Sequence, residues 1–79
     1  MSRYVIRIVP VGGSIHDLPR IYTTKREALK DLTLVAPMLY PDRNEWQQPT
    51  GYKRKRNGNA VVIHRDGEYV ATVGVELAD

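Results

Sequence analysis

Two turn dipeptides in the C-terminal half, Asn57-Gly58 and Asp66-Gly67, constrain this chain more than any other feature. Asn-Gly and Asp-Gly are preferred in type I′ turns, whose backbone twist matches that of the antiparallel strands they join. The segments around them are rich in valine, isoleucine, threonine and tyrosine, which strands favour. The sequence therefore predicts a three-stranded meander over residues 51–77.

Two-residue turns at these dipeptides also fix the register of the meander. The predicted pairs are Val61 with Arg54 and Thr72, Ile63 with Tyr52 and Val70, and Val62 with Lys53 and Ala71. The face expected to pack on a helix then carries Ala60, Val62, His64, Tyr69, Ala71, Val73, Val75 and Leu77, with Lys53 and Lys55 at its margin. The opposite face is expected to carry Tyr52, Val61, Ile63 and Val70, surrounded by Arg54, Arg56, Arg65 and Glu68.

The N-terminal half supplies one more strand and one helix. Alternating apolar residues predict a strand from Arg3 to Val9, within a segment 1–11 that Pro10 and the following glycines end. Thr24 and Glu27 have the spacing of a capping box, so a helix is predicted over residues 24–36, ended by Pro37. The predicted fold class is α+β, in the order β-α-β-β-β. Its four-stranded, mostly antiparallel sheet carries one amphipathic helix on one face, and the place of the first strand in the sheet stays open.

A proline-rich connection is predicted over residues 37–50. It contains two aromatic residues, Tyr40 and Trp46. They either close the open end of the core or serve as loop anchors for a partner, since exposed aromatics are typical binding hot spots.

The length of 79 residues predicts a single domain, residues 1–79, with one core. The chain has no cysteine, which excludes disulfides and thiolate metal sites. No export signal is visible, and no apolar run reaches the roughly 20 residues of a membrane span. We therefore expect a cytoplasmic protein that has no membrane contact.

Charge is concentrated in one hairpin. Between Gly51 and Gly67 there are five basic residues and one acidic residue, a formal charge of +4, whereas the whole chain carries +3. The remainder is therefore slightly acidic, at −1. The predicted partner-binding residues are Tyr52, Lys53, Arg54, Lys55, Arg56 and Arg65. The alternative is that the charges only protect an edge strand from aggregation.

One face of the predicted sheet has no helix to cover it, because a single helix covers one side. Arg54 and Arg56 flank Tyr52 on that face, and they are the residues we expect to matter most. Val61, Ile63 and Val70 form a possible apolar patch there for a homodimer or another partner.

No catalytic, cofactor or metal site is predicted. The two histidines, His16 and His64, lie far apart in the sequence and have no cysteine beside them. His64-Arg65-Asp66 matches a kinase tripeptide, but it occupies a predicted hairpin turn without the other kinase motifs. The expectation is therefore a protein that is not an enzyme.

The opening strand, the helix entered through Thr23-Thr24-Lys25-Arg26-Glu27-Ala28-Leu29 and the closing hairpins resemble small phage-encoded accessory proteins, among them anti-CRISPR inhibitors. This resemblance implies stoichiometric binding that occludes a surface of a nucleic-acid-handling complex. Many such inhibitors are acidic mimics of DNA, whereas this chain is basic. Two hypotheses follow: an inhibitor or adaptor that docks on an acidic protein surface, and a protein that binds nucleic acid directly.

Overall fold

Within residues 2–78, the sheet has five antiparallel strands, not the predicted four. The computed structural model describes residues 2–78, with strands β1 (Tyr4–Pro10), β2 (His16–Asp17), β3 (Tyr52–Asn57), β4 (Ala60–Arg65) and β5 (Glu68–Leu77) and helix α1 (Lys25–Leu39). The strand order is β2-β1-β5-β4-β3. The α+β class and the helix packed against the sheet are confirmed.

The first strand lies beside the last. β1 pairs with β5 from Tyr4 opposite Leu77 to Pro10 opposite Ala71, which settles the position that the sequence left open. On its other side β1 pairs with β2, where Arg7 donates to Asp17 at 2.7 and 3.2 Å. The sequence shows no pattern that predicts β2, because two residues are too short to show a strand period.

The helix begins as predicted but ends later. Thr24 is the N-cap, and its hydroxyl accepts from the Glu27 amide at 3.2 Å. The expected end at residue 36 was wrong, since the helix continues through Pro37 to Leu39. A proline in the last turn removes a single backbone bond, and the helix closes one turn later with the Tyr40 amide donating to the Ala36 carbonyl. The connection therefore spans residues 40–51.

The predicted register was wrong along the first hairpin and, beyond His64, along the second. Asn57 pairs with Ala60, so Gly58 and Asn59 are the turn residues, and Gly58 has a φ of 63°, as a type II′ turn requires at its first central position. Because the shift is of two residues, the residues of β3 and β4 that were predicted to share a face still share it. In β5, however, His64 pairs with Tyr69 and Ile63 with Ala71, so that Val70 forms a β-bulge.

The bulge changes which residues form the core. The extra residue shifts the alternation of side chains along β5 by one position. As a result, the buried residues Ala71, Val73 and Val75 lie on the same face as Val61 and Ile63 of β4. Without it, the apolar residues of the two strands would lie on opposite faces. The predicted assignment of Ala60, Val62, His64 and Tyr69 to the helix-covered face was therefore wrong.

The core lies between α1 and one face of the sheet. Ala28, Leu32 and Ala36 of α1 pack in one buried cluster with residues from β1, β4 and β5. Tyr22 completes this cluster, and its hydroxyl donates to an Asp31 carboxylate oxygen at 2.5 Å. The opposite face of the sheet, which we call the open face, carries the exposed or half-buried residues Arg7, Val9, Lys53, Lys55, Ala60, Val62, His64, Tyr69 and Thr72.

Candidate functional site

The basic strand, β3, is an edge strand of the sheet. It pairs with β4 alone, so its other side has no strand beside it in residues 2–78. Because side chains alternate along a strand, Lys53 and Lys55 point to the open face, whereas Arg54 and Arg56 point to the helix side. The four charges therefore form two separate pairs, as the sequence predicted, but on the opposite faces.

Arg54 is tied to the connection that follows the helix. Its guanidinium donates to the Tyr40 carbonyl at 2.8 Å and to both carboxylate oxygens of Asp42 at 2.8 and 3.2 Å. Its side chain is only 23% exposed. The hydrogen bond from Arg54 and the charge of the guanidinium lower the pKa of Asp42. Arg54 thus joins the connection to β3, and it is not the exposed arginine that the sequence predicted.

Arg56 reaches from β3 towards the helix. Its Nε donates to the Gly58 carbonyl at 2.8 Å, and its guanidinium lies 3.3 Å from the Thr33 hydroxyl. The residue is exposed, but it too lies on the helix side of the sheet. The expectation that Arg54 and Arg56 flank an uncovered face was therefore wrong.

An apolar groove runs between α1 and β3. It has a volume of about 200 Å³. Its lining residues are Leu32, Thr33, Ala36, Pro37, Arg54, Arg56 and Val61. The groove exists because α1 packs over β1, β4 and β5 and leaves the outer strand beside it. Its floor is apolar, and two guanidinium groups stand at its rim.

The open face combines the two lysines with aromatic rings. Lys53 lies opposite His64, and the His64 ring packs edge-to-face on Tyr69 with centroids 5.9 Å apart. Tyr69 is 43% exposed, and its hydroxyl is 2.6 Å from that of Thr72. Neither lysine side chain makes a hydrogen bond or a salt bridge within residues 2–78. Lys53 affects Asp42 through its charge alone, so the lysines are the cations of β3 that no direct contact holds.

The remaining predicted partner-binding residues lie on the helix side. The Arg65 guanidinium stands 5.3 Å from the centre of the Tyr52 ring. The Tyr52 ring in turn contacts Tyr40 edge-to-face at 5.3 Å. These three residues close the end of the sheet next to the connection, so Tyr52 is not available to the open face.

The apolar patch predicted for a dimer is not a surface. Ile63 is 0% exposed and Val61 is 7% exposed, because both lie beneath the helix. Val70 is half-buried at the bulge and packs against the core. The proposal of a patch made of Val61, Ile63 and Val70 was therefore wrong, for the same reason as the face assignment.

The two loop aromatics have different surroundings. Tyr40 is half-buried against the core, as the core-closing alternative predicted. Trp46 is 72% exposed at the tip of the connection. The Asn44 side chain shapes that tip by accepting from the amides of Trp46 and Gln48 at 2.9 and 3.0 Å. Trp46 remains a candidate anchor.

Sequence reasoning missed the two residues that contact the arginines of β3. Asp42 and Thr33 hold the arginines of β3, but they lie 12 and 23 positions away in sequence, where no local pattern connects them. The edge position of β3 was one of the alternatives that its charges indicated, since charged side chains are typical of edge strands.

The histidines remain apart. His16 Nδ1 lies 3.2 Å from the Ser14 carbonyl in the β1–β2 hairpin, whereas His64 is on the open face. Within residues 2–78, no three histidine or carboxylate side chains come together as a metal ion would require. The helix in this part of the chain is not long and apolar enough to cross a membrane.

No protein-family model, curated protein or solved structure matches this chain.

Proposed function

We propose that this protein is a non-enzymatic module that acts by stoichiometric binding, as an inhibitor or adaptor of a nucleic-acid-handling protein complex. It would resemble anti-CRISPR inhibitors in this respect. The observation that supports the proposal is the basic strand at the sheet edge, with Lys53 and Lys55 exposed on the open face. The partner would present an acidic protein surface to these lysines.

The charge distribution favours a protein with an acidic surface. The hairpin supplies a formal charge of +4 in a chain of +3, so the positive potential is local. Local charge of this kind raises association rates with a complementary surface. Since Lys53 and Lys55 make no internal ion pair, a partner's carboxylates would not have to displace one.

Paired charge-reversal variants test the proposal. The tagged protein, K53E/K55E and the control K25E/R26E are compared in quantitative capture from lysate, followed by nucleic-acid cleavage assays of the captured complexes. Lys25 and Arg26 are exposed in the first turn of α1, so the control makes the same change in formal charge away from β3. We expect K53E/K55E to lose the captured complex and its inhibition, and the control to retain both. Equal capture by all three proteins contradicts the proposal.

A second candidate function is direct binding of single-stranded nucleic acid. The observation that favours it is the exposed Tyr69 ring beside His64 and Lys53, because aromatic rings and cations on a sheet face stack and hold unpaired bases. Titration with labelled DNA and RNA at several salt concentrations tests it. Binding that weakens with salt and with Tyr69→Ala supports this candidate, whereas no micromolar binding at low salt rejects it.

A further inference from the structure

The unpaired edge of β3 offers backbone groups as well as charges. Asn57 and Ala60 flank a two-residue turn, so they form a hydrogen-bonded pair, and such pairs alternate along an antiparallel ladder. Two contacts agree with this alternation. The Asp66 amide donates to the Gly51 carbonyl, and the Tyr52 amide points away from β4 and donates to the Thr50 hydroxyl. The amides and carbonyls of Arg54 and Arg56 therefore point outward from the sheet.

We propose that β3 binds its partner by strand addition, taking an extended segment in which acidic residues alternate with apolar ones. This mode rests on the proposed function, and it specifies the chemistry of the segment that the basic strand recognises. The outward amides and carbonyls of Arg54 and Arg56 supply the main-chain hydrogen bonds.

The two sides of β3 determine which side chains of the added strand should be acidic and which should be apolar. Side chains of an added strand that point to the open face lie next to Lys53 and Lys55, where carboxylates are complementary. Side chains that point the other way lie beside the groove between α1 and β3, whose floor is Leu32, Ala36 and Val61. Apolar side chains fit there, and the rim arginines are already held by Asp42, Gly58 and Thr33.

A second copy of the chain does not meet these requirements. Pairing two copies of β3 would set lysines and arginines against lysines and arginines, and like charges directly across a sheet destabilise it. The charges that oppose self-association at this edge are the same ones that favour an acidic strand. The edge is therefore selective for a different sequence.

The probe is a short acetylated and amidated peptide in which glutamate alternates with leucine. The control peptide has the same composition with its glutamates in one block. By NMR, we expect the alternating peptide to slow hydrogen exchange at the amides of Arg54 and Arg56 by about tenfold or more. The Lys53 and Lys55 amides, which are already bonded to β4, change little. Absence of binding at millimolar peptide, or binding without protection at Arg54 and Arg56, overturns strand addition.

Backbone substitutions in the peptide provide a test that leaves the protein unchanged. N-methylation at successive residues should weaken binding by about tenfold at alternate positions only, because every second amide faces β3. Uniform effects along the peptide contradict the mode.

A matched pair of protein variants tests the hydrogen bond that the Arg56 amide would donate to the peptide. Arg56→Pro removes an outward amide, which edge strands tolerate, whereas Arg56→Thr removes the same charge and keeps the amide. Arg56→Pro should bind the alternating peptide about tenfold more weakly than Arg56→Thr, with similar circular dichroism. If Arg56→Pro does not fold, the N-methyl series decides.

Other occupants of the edge give different results. Dimers at low concentration without peptide, with Arg54 and Arg56 already protected, would assign the edge to a second copy and overturn the proposal. An oligonucleotide that protects these amides better than the peptide would also overturn it. If K53E/K55E loses its captured complex while the N-methyl series shows no alternation, the binding surface is right and strand addition is wrong.

Discussion

The helix-covered face and the open face of this sheet differ most clearly along β3, where neighbouring cations have opposite roles. Arg54 holds the connection through Tyr40 and Asp42, and Arg56 reaches Thr33 of the helix. Lys53 and Lys55 make no such bond within residues 2–78. This run of basic residues therefore does not form one surface, because alternation in the strand places the two arginines on the helix side, where they contact other parts of the chain.

The same contrast appears in β4, where neighbouring residues separate the core from the open face. Ile63 is fully buried beneath α1, whereas Val62 is half-buried on the open face. Ile63→Ala should lower the free energy of unfolding by about 2–5 kcal/mol, and Val62→Ala by less than about 1 kcal/mol. Urea denaturation followed by circular dichroism measures both. If Ile63→Ala is too unstable, Ile63→Val should cost about 0.5–1.5 kcal/mol. Equal costs at both positions would contradict the face assignment.

Local sequence patterns predicted the elements of this fold better than their faces. The capping box at Thr24 and the glycine turns located the helix start and both hairpins. The bulge at Val70 could not be predicted in this way, because it depends on which face of β5 must match the apolar residues of β4. As a result, the basic strand was identified correctly, but its arginines and lysines were assigned to the wrong sides.

The two faces also differ in the surroundings of a tyrosine hydroxyl. Tyr22 is buried, and its hydroxyl donates to Asp31, whereas Tyr69 is exposed and its hydroxyl pairs with Thr72. Tyr22→Phe should cost about 1.5–3 kcal/mol, as expected for losing a hydrogen bond to a charged group, and Tyr69→Phe less than about 1 kcal/mol. Thermal denaturation at neutral pH measures both variants. A larger loss from Tyr69→Phe would contradict the comparison.

Tyr22 also predicts a pH dependence. Burial, followed by the hydrogen bond to Asp31 and the charge of Asp31, raises the pKa of Tyr22 to about 12. The folded state therefore keeps a proton that the unfolded state loses near the ordinary tyrosine pKa of about 10. This contribution to stability is fully present below pH 10 and is lost as the pH rises towards about 12. The difference in unfolding free energy between wild type and Tyr22→Phe should shrink over that range, and a constant difference would contradict the assignment.

Arg54 and Lys53 are neighbours in β3, but only Arg54 contacts the connection. Arg54→Gln removes the bonds to the Tyr40 carbonyl and Asp42, so it should cost about 1 kcal/mol, whereas Lys53→Gln should stay within about 0.5 kcal/mol. The pKa of Asp42, measured by NMR, should rise towards its ordinary value in Arg54→Gln. The stabilisation linked to that carboxylate exists above the ordinary aspartate pKa and is lost as the pH falls through the lowered one. An unchanged Asp42 pKa would show that Arg54 does not hold it.

The smallest effect on stability is expected at the lysines, and for that reason they separate folding from binding most cleanly. Lys53→Ala combined with Lys55→Ala should change the unfolding free energy by less than about 0.5 kcal/mol, since neither side chain makes a hydrogen bond or a salt bridge within residues 2–78. The same variant should associate more slowly with the alternating acidic peptide at low salt, and the difference should vanish at high salt, where the charges are screened. Stopped-flow fluorescence with a labelled peptide measures these rates.

Arg54→Ala should show the opposite result, a larger loss of stability and a smaller change in association rate, because the charge of Arg54 is already paired with Asp42. If both substitutions slow association equally, the two sides of β3 act as one basic patch after all.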